Sequence, residues 1–117
     1  MTYRLGQTQT WDLPILLSKL TEAVSTYPGF DKMKIIIGVM KTPKKDEFYA
    51  TSVLRYVTDG IGKYKTEGNI YLNVRDITDV GKIIKAVAHE AAHLLEKYEK
   101  RHEIEKHIRQ KIDEEIK

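Results

Sequence analysis

The apolar positions of this chain follow a helical period towards both ends and a strand-like pattern in the middle. In the first part, apolar residues recur at three- and four-residue steps. Thr10 or Asp12 can cap the start of this segment, and Tyr27-Pro28-Gly29 ends it. This predicts a packing helix beginning near Leu13. Its apolar stripe consists of Leu13, Leu16, Leu17, Leu20, Ala23 and Val24. Residues 1–10 are largely polar and predict an arm or a short edge segment.

Three segments in the middle of the chain predict β-strands. Met33–Lys41 is a β-branched run typical of a buried central strand, and Phe48–Val57 alternates well enough for a second strand. Asn69–Arg75 alternates most cleanly, which predicts one dry and one wet face. The dry face would carry Ile70, Leu72 and Val74, and the wet face Asn69, Tyr71, Asn73 and Arg75.

Two further helical patterns follow. The first can be capped by Thr78 or Asp79, and its apolar stripe is Val80, Ile83, Ile84, Val87, Ala91 and Leu94 or Leu95. The second repeats isoleucine every four residues, at Ile104, Ile108, Ile112 and Ile116. The order α-β-β-β-α-α predicts one α+β domain over residues 1–117, with helices packed on a small, mostly antiparallel sheet of three or slightly more strands. Within it, residues 1–10 form the arm and residues 109–117 a C-terminal tail that could be regulatory.

Composition narrows the chemistry. The chain has 117 residues, 32% of them charged, and no cysteine, so a metal would have to be held by histidine and carboxylate. The net charge of +3 comes without a basic stripe interleaved with aromatics, so nucleic acid is not the expected partner. The sequence contains no run of eighteen apolar residues and no visible secretory signal, which predicts a cytoplasmic protein without a membrane partner.

The chemical signal is the H-E-x-x-H motif His89-Glu90-Ala91-Ala92-His93 on the predicted second helix. Residues four apart on an α-helix lie about 40° apart around the axis and one turn apart along it. His89 and His93 can therefore close on one zinc ion, and Glu90 can take a proton from an attacking water. The alternative is two surface histidines on a charged helix.

A third ligand must come from another segment, because same-face residues further along this helix lie about 10–12 Å from His89. On a continuous helix His102 would lie roughly 180° around and 13–14 Å beyond His93. A reversal of the chain between about Tyr98 and Arg101 would bring it back. His102 is the first candidate ligand, Glu103 the second and His107 the third, and an unbroken helix is the alternative.

The HEAAH helix, the sheet before it and a returning helix that opens with a candidate ligand resemble the gluzincin metallopeptidases. The small size and the H-E-x-x-H…H arrangement resemble the minimal members called minigluzincins. The resemblance implies a zinc endopeptidase with Zn²⁺ on His89, His93 and His102, and with Glu90 as general base. A histidine third ligand in that family favours His102 over Glu103. Members can be latent, with C-terminal residues covering the cleft within or across subunits, which implies a possible homodimer.

The Asn69–Arg75 strand is a second functional candidate, as a binding site for substrate. If Asn69–Arg75 lay at the rim of the sheet, it could pair with an extended peptide, and Asn69, Tyr71 and Asn73 would contact the substrate. An ordinary edge or inner strand is the alternative. An oxyanion stabiliser could be Tyr64, Tyr71 or Tyr98. The competing function is a metal-free interaction or self-association module that uses the amphipathic C-terminal helix.

Overall fold

The computed structural model describes residues 2–5, 9–40, 50–58, 60–62, 64–73 and 79–116. Within these residues the chain forms five strands, three α-helices and one short 3-10 helix, which confirms the α+β class. The elements are β1 Thr2–Leu5, β2 Gln9–Asp12, α1 Leu13–Ser25, β3 Met33–Val39, β4 Ala50–Thr58, β5 Tyr64–Leu72, α2 Val80–Leu94, the 3-10 helix Tyr98–Lys100 and α3 Arg101–Ile116. In the described part of the chain, no helix is long and apolar enough to span a membrane.

The main sheet has the strand order β3-β5-β4, with β5 parallel to β3 and antiparallel to β4. Residues 1–10, predicted as an arm, contribute β1 to a separate antiparallel hairpin with β2, and Trp11 of β2 is buried against the core. The main sheet is therefore mixed, with one parallel and one antiparallel pairing, rather than mostly antiparallel as predicted. The parallel β3–β5 pairing arises because β4 lies on the outside of β5 rather than between the two.

Strand β5 differs from the prediction in extent, because it begins at Tyr64 rather than Asn69. Of the positions left open for it, β5 takes the inner one, and the segment predicted as the central strand forms the edge strand β3 instead. The wet face is also wrong, because Asn69 and Asn73 are buried. Asn69 is aligned with Ile36 on one side and Val53 on the other, and neighbours on both sides cover the side chains of a central strand. Val74 and Arg75 lie outside the described residues.

The helices pack on one face of the main sheet. The predicted α1 stripe is confirmed, with Leu16 and Leu20 fully buried, and it meets the sheet residues Ile35, Ile37, Ile70 and Leu72 in one core. Asp79, one of the two predicted caps, is the N-cap of α2, and its Oδ1 accepts a hydrogen bond from the Gly81 backbone N–H at 2.8 Å. Helix α3 buries its isoleucines Ile104, Ile108 and Ile112 in the same core.

The chain reverses between α2 and α3, as the candidate third ligand requires. The Glu96 N–H bonds the His93 carbonyl and the Lys97 N–H bonds the Ala92 carbonyl, both at 3.0 Å. These two bonds form a Schellman cap, with Glu96 in the left-handed conformation (φ +57°) that glycine usually takes there. The reversal begins at Leu95, a few residues before the predicted position, and an unbroken helix is excluded.

Gly68 allows α2 to approach β5. A Cβ placed on Gly68 would lie 2.9 Å from Leu94 Cδ1 and 2.8 Å from Met33 Sδ. We expect Gly68→Ala to lower the free energy of unfolding by about 1 kcal/mol, the lower end for overpacking, because both close atoms are ends of flexible side chains. Denaturant titration measures this loss. The matched control is Gly38→Ala, since a Cβ on Gly38 meets nothing within 4 Å. A loss of stability in the control equal to that of Gly68→Ala would contradict the close-approach explanation.

Glu96→Gly is expected to stabilise the protein. The left-handed conformation disfavours a non-glycine residue by about 1–2 kcal/mol, and the chain entropy of glycine offsets roughly 0.5–1 kcal/mol of that gain. A net gain of about 0.5–1 kcal/mol should appear in denaturant titrations. Glu96→Ala is the control, because alanine keeps the strained φ. An equal gain in Glu96→Ala would instead identify the glutamate charge at the negative end of α2 as the unfavourable feature.

Candidate metal centre

The imidazoles of His89 and His93 meet on the surface of α2. Their Nε2 atoms lie 3.0 Å apart, and the two rings meet edge to face with centroids 4.6 Å apart. His89 is half-buried and His93 is exposed. The helical repeat places the rings on one side of α2, and the Schellman cap ends the helix soon after His93. The predicted histidine pair is therefore present as a convergent pair of nitrogens.

This convergence fits a zinc ion. Two nitrogens held at 2.0–2.1 Å from one tetrahedral zinc lie about 3.3–3.4 Å from each other. At the observed 3.0 Å separation one imidazole donates a hydrogen bond to the other. To hold zinc together, the two nitrogens would have to move apart by about 0.3–0.4 Å. The donor set of two imidazoles without thiolates also matches the ligands of catalytic zinc sites.

Glu90 follows His89 on α2 and is buried, with 9% of its surface exposed. No hydrogen-bond or ion-pair partner of its carboxylate lies in the part of the chain that the structure describes. Glu90 stands directly after His89 on α2, which is the position expected of the general base in an H-E-x-x-H motif.

Tyr98 is the third aromatic side chain at this site. Its ring stacks on His93 with centroids 5.3 Å apart and meets His89 edge-on at 5.1 Å. Of the three candidate oxyanion stabilisers, Tyr98 is therefore the one that the fold brings to the imidazoles. Tyr71 lies on the sheet face opposite Ile70 and Leu72, which pack towards the helices, and the side chain of Tyr64 is outside the described part.

His102 lies in the first turn of α3 and lines a cavity of about 270 Å³ together with His89 and Tyr98. The chain reversal has thus brought the first-choice third ligand to the side of α2 that carries the motif. Among the described residues, no group of three or more histidine, cysteine, aspartate or glutamate side chains is arranged to hold a metal. The assignment of His102 as third ligand stays a prediction.

Glu103 and His107 belong to a different contact, between α3 and the end of α1. Glu103 forms an ion pair with Lys100, whose Nζ lies 3.2 Å from Glu103 Oε2. The hydrogen bond that Lys100 donates in this pair holds the pKa of Glu103 below its usual range. Burial, together with the Glu103 carboxylate beside it, raises the pKa of Tyr27. His107 Nε2 lies 2.8 Å from Thr26 Oγ1, and its ring meets Tyr27 edge-on. Both residues therefore have other partners than the imidazole pair.

The C-terminal tail runs away from the histidines within its own chain. Helix α3 returns antiparallel to α2, since Arg109 donates to the Gly81 carbonyl at the start of α2 (3.1 Å). Asp113 and Glu114 lie beyond this point, and Glu114 pairs with Lys111 at 3.8 Å. These two carboxylates have no path to the imidazoles within one chain. The side chain of Glu115 and the whole of Lys117 lie outside the described residues, and a block across subunits stays a prediction.

The expected substrate strand requires correction. Because β5 is paired on both sides, an extended peptide cannot add to it, and Asn69 and Asn73 are buried. The outer edge of β4 has no strand partner among the described residues. Exposed Val53, Tyr56 and Val57 lie along this edge strand. Strand β3 is the other edge strand of this sheet, so β4 is one of two edges that a peptide could extend, and it carries the more exposed side chains.

Comparisons with known proteins add no family assignment. No protein-family model, no curated protein and no solved structure matches this chain. The resemblance to minigluzincins therefore rests on the motif, the reversal after it and the returning helix.

Proposed function

We propose that this protein is a zinc-dependent metallopeptidase that cleaves peptide bonds with an activated water. The observation that carries the proposal is the pair of Nε2 atoms 3.0 Å apart on one face of α2, where Glu90, largely buried and with no partner among the described residues, follows His89. Two surface histidines on a charged helix would not need a neighbouring buried carboxylate. The reversal at Glu96 supports the proposal, because it brings His102 to the same side.

The residues divide the chemistry between them. His89, His93 and His102 would hold Zn²⁺, which when bound would supply Lewis-acid activation of the water and the scissile carbonyl. Glu90 accepts the proton of the attacking water and delivers it to the leaving amine. The phenol of Tyr98 donates to the carbonyl oxygen as negative charge develops there.

The substrate would bind as an extended strand on β4. Nine residues, Ala50–Thr58, form this edge, and α2 packs against the same strand. Main-chain hydrogen bonds to an edge strand hold a peptide with little regard to its sequence. This replaces β5 as the proposed substrate strand.

The competing function, an interaction module, would use the apolar stripe of α3. In this structure Ile104 and Ile108 of that stripe are fully buried within the same chain, where α3 packs on α1 and α2. A partner could reach this stripe only if α3 left the domain, which would expose the core.

We expect one Zn²⁺ per chain in the wild type, measured by metal analysis after dialysis. Replacing His89 or His93 by alanine removes half of the convergent pair. The affinity should fall by more than the roughly 10–100-fold typical of losing an outer-shell partner. The same loss is expected for His102→Ala.

Glu103→Gln and His107→Gln are the matched controls, because both side chains face α1 and should leave zinc binding unchanged. Full zinc binding by His89→Ala would remove the metal assignment. Loss of zinc in Glu103→Gln with retention in His102→Ala would transfer the third-ligand role to Glu103.

Glu90→Gln should keep zinc and lose peptide cleavage. The amide is close in shape to the carboxylate but cannot accept the proton, so we expect kcat to fall by about 10²–10⁴-fold. Mass spectrometry of a peptide mixture incubated with the zinc-loaded protein measures the cleavage. The control is Glu96→Gln, an exposed glutamate just beyond the same helix. Wild-type cleavage by Glu90→Gln would contradict its role.

A further inference from the structure

A cavity opens directly beside the imidazole pair, between α2 and the start of α3. Its volume is about 270 Å³. Its lining consists of Lys85, His89, Tyr98, Arg101, His102 and Glu105. Since ligand pockets for whole small molecules run from about 300 Å³ upwards, this one has room for a single side chain or one terminal residue.

The charges around the cavity favour an anion. Lys85 and Arg101 are cations at neutral pH, and neither forms an ion pair with a carboxylate in the described residues. The one carboxylate in the lining, Glu105, is neutralised by Arg109, whose Nε lies 3.2 Å away. The positive end of the α3 dipole adds to the same potential, because α3 begins at Arg101.

Arg101 is held in position before any ligand arrives. Its Cζ lies 4.2 Å from the centre of the Tyr98 ring, and its Nη1 donates to the Tyr98 carbonyl at 3.2 Å. A guanidinium has five N–H donors in a fixed fork, so most of them stay available. A fixed arginine fork matches a carboxylate with two parallel hydrogen bonds.

We propose that this cavity is a specificity pocket that binds a carboxylate of the peptide substrate, with Arg101 as its main partner and Lys85 as a second cation. The proposal rests on the proposed function, because His89 forms one wall and places the carboxylate beside the bond to be cleaved. It identifies the substrate as a peptide that presents a carboxylate to Arg101. The carboxylate belongs either to an aspartate or glutamate side chain or to the free C-terminus of the peptide.

The first test needs no catalysis. Zinc-free protein is titrated with acetyl-glutamate amide, acetyl-glutamine amide and acetyl-glycine, and the NMR signals of residues 85, 89 and 98–102 are followed. Working without zinc prevents direct binding of the carboxylate to the metal. We expect at least one of the two acids to bind about tenfold more tightly than the neutral glutamine probe, and the binding to weaken as NaCl rises. Equal binding of all three probes would overturn the pocket.

Substitutions at Arg101 and Lys85 test whether these two residues bind the carboxylate. Arg101→Gln should remove the tenfold preference, and Arg101→Lys should restore part of it. Lys85→Gln should weaken it too, and this change at an exposed helix position tests the pocket even if Arg101→Gln fails to fold. The control is Lys82→Gln, which removes the same charge from an exposed position one turn away on α2. A preference unchanged in both Arg101→Gln and Lys85→Gln would overturn the proposal.

The second test measures which peptide bonds the protein cleaves. Zinc-loaded protein is incubated with a peptide mixture, once with free and once with amidated C-termini, and the cleaved bonds are identified by mass spectrometry. Enrichment of aspartate or glutamate near the cleaved bond in both mixtures identifies the side chain as the source. Cleavage near the end of free peptides only identifies the C-terminus.

The outcomes separate the two proposals. Cleavage with no preference for an acidic group would overturn the pocket and leave the peptidase standing. Carboxylate binding that depends on Arg101, in a protein that takes up zinc but cleaves no peptide, would overturn the peptidase and leave the pocket standing. Arg101→Glu sharpens the test, because the reversed charge should shift the preference towards lysine and arginine.

Discussion

The left-handed turn at Glu96 is the constraint on which the rest of the site depends. Two hydrogen bonds to the Ala92 and His93 carbonyls end α2 immediately after the motif. The chain then turns back, so that Tyr98 packs on both imidazoles and α3 runs antiparallel along α2. Glutamate is an unfavourable residue at φ +57°. The strain is balanced by the buried isoleucine stripe of α3, which can reach the core only after this reversal.

Contacts on opposite sides of α3 set its rotation about its own axis. On the side towards α1, Glu103 and His107 are tied to the Thr26–Tyr27 segment and Lys100. A helix presents different residues on its different faces. Because Glu103 and His107 are held on the side towards α1, His102 and Glu105 lie on the side that faces the cavity beside His89. The contacts of Glu103 and His107 therefore orient His102, the proposed third ligand, towards this cavity.

The close packing of α2 on the sheet depends on a glycine, Gly68 of β5. Gly68 lets Leu94 pack against β5, next to the end of the helix that carries His93. A protein interior is close-packed, so the position of an element is set by the volumes between it and its neighbours. Glu90, the proposed proton acceptor, lies on this packed helix, and a fixed position is what that proposed role requires.

The amino-acid sequence alone determined the three helices, the approximate places of three strands, a cap at Thr78 or Asp79, and the histidine pair. It also showed that His102 could join that pair only after a reversal of the chain. Each of these follows from interactions within about one turn or one strand. Only the tertiary structure decided that β5 is central, that Asn69 and Asn73 are buried, and that Glu103 and His107 face α1. It also decided that Tyr98, Arg101 and Lys85 meet beside His89. Those outcomes depend on which strands pair and how α3 is rotated, and local patterns of polarity do not encode contacts between segments distant in the chain.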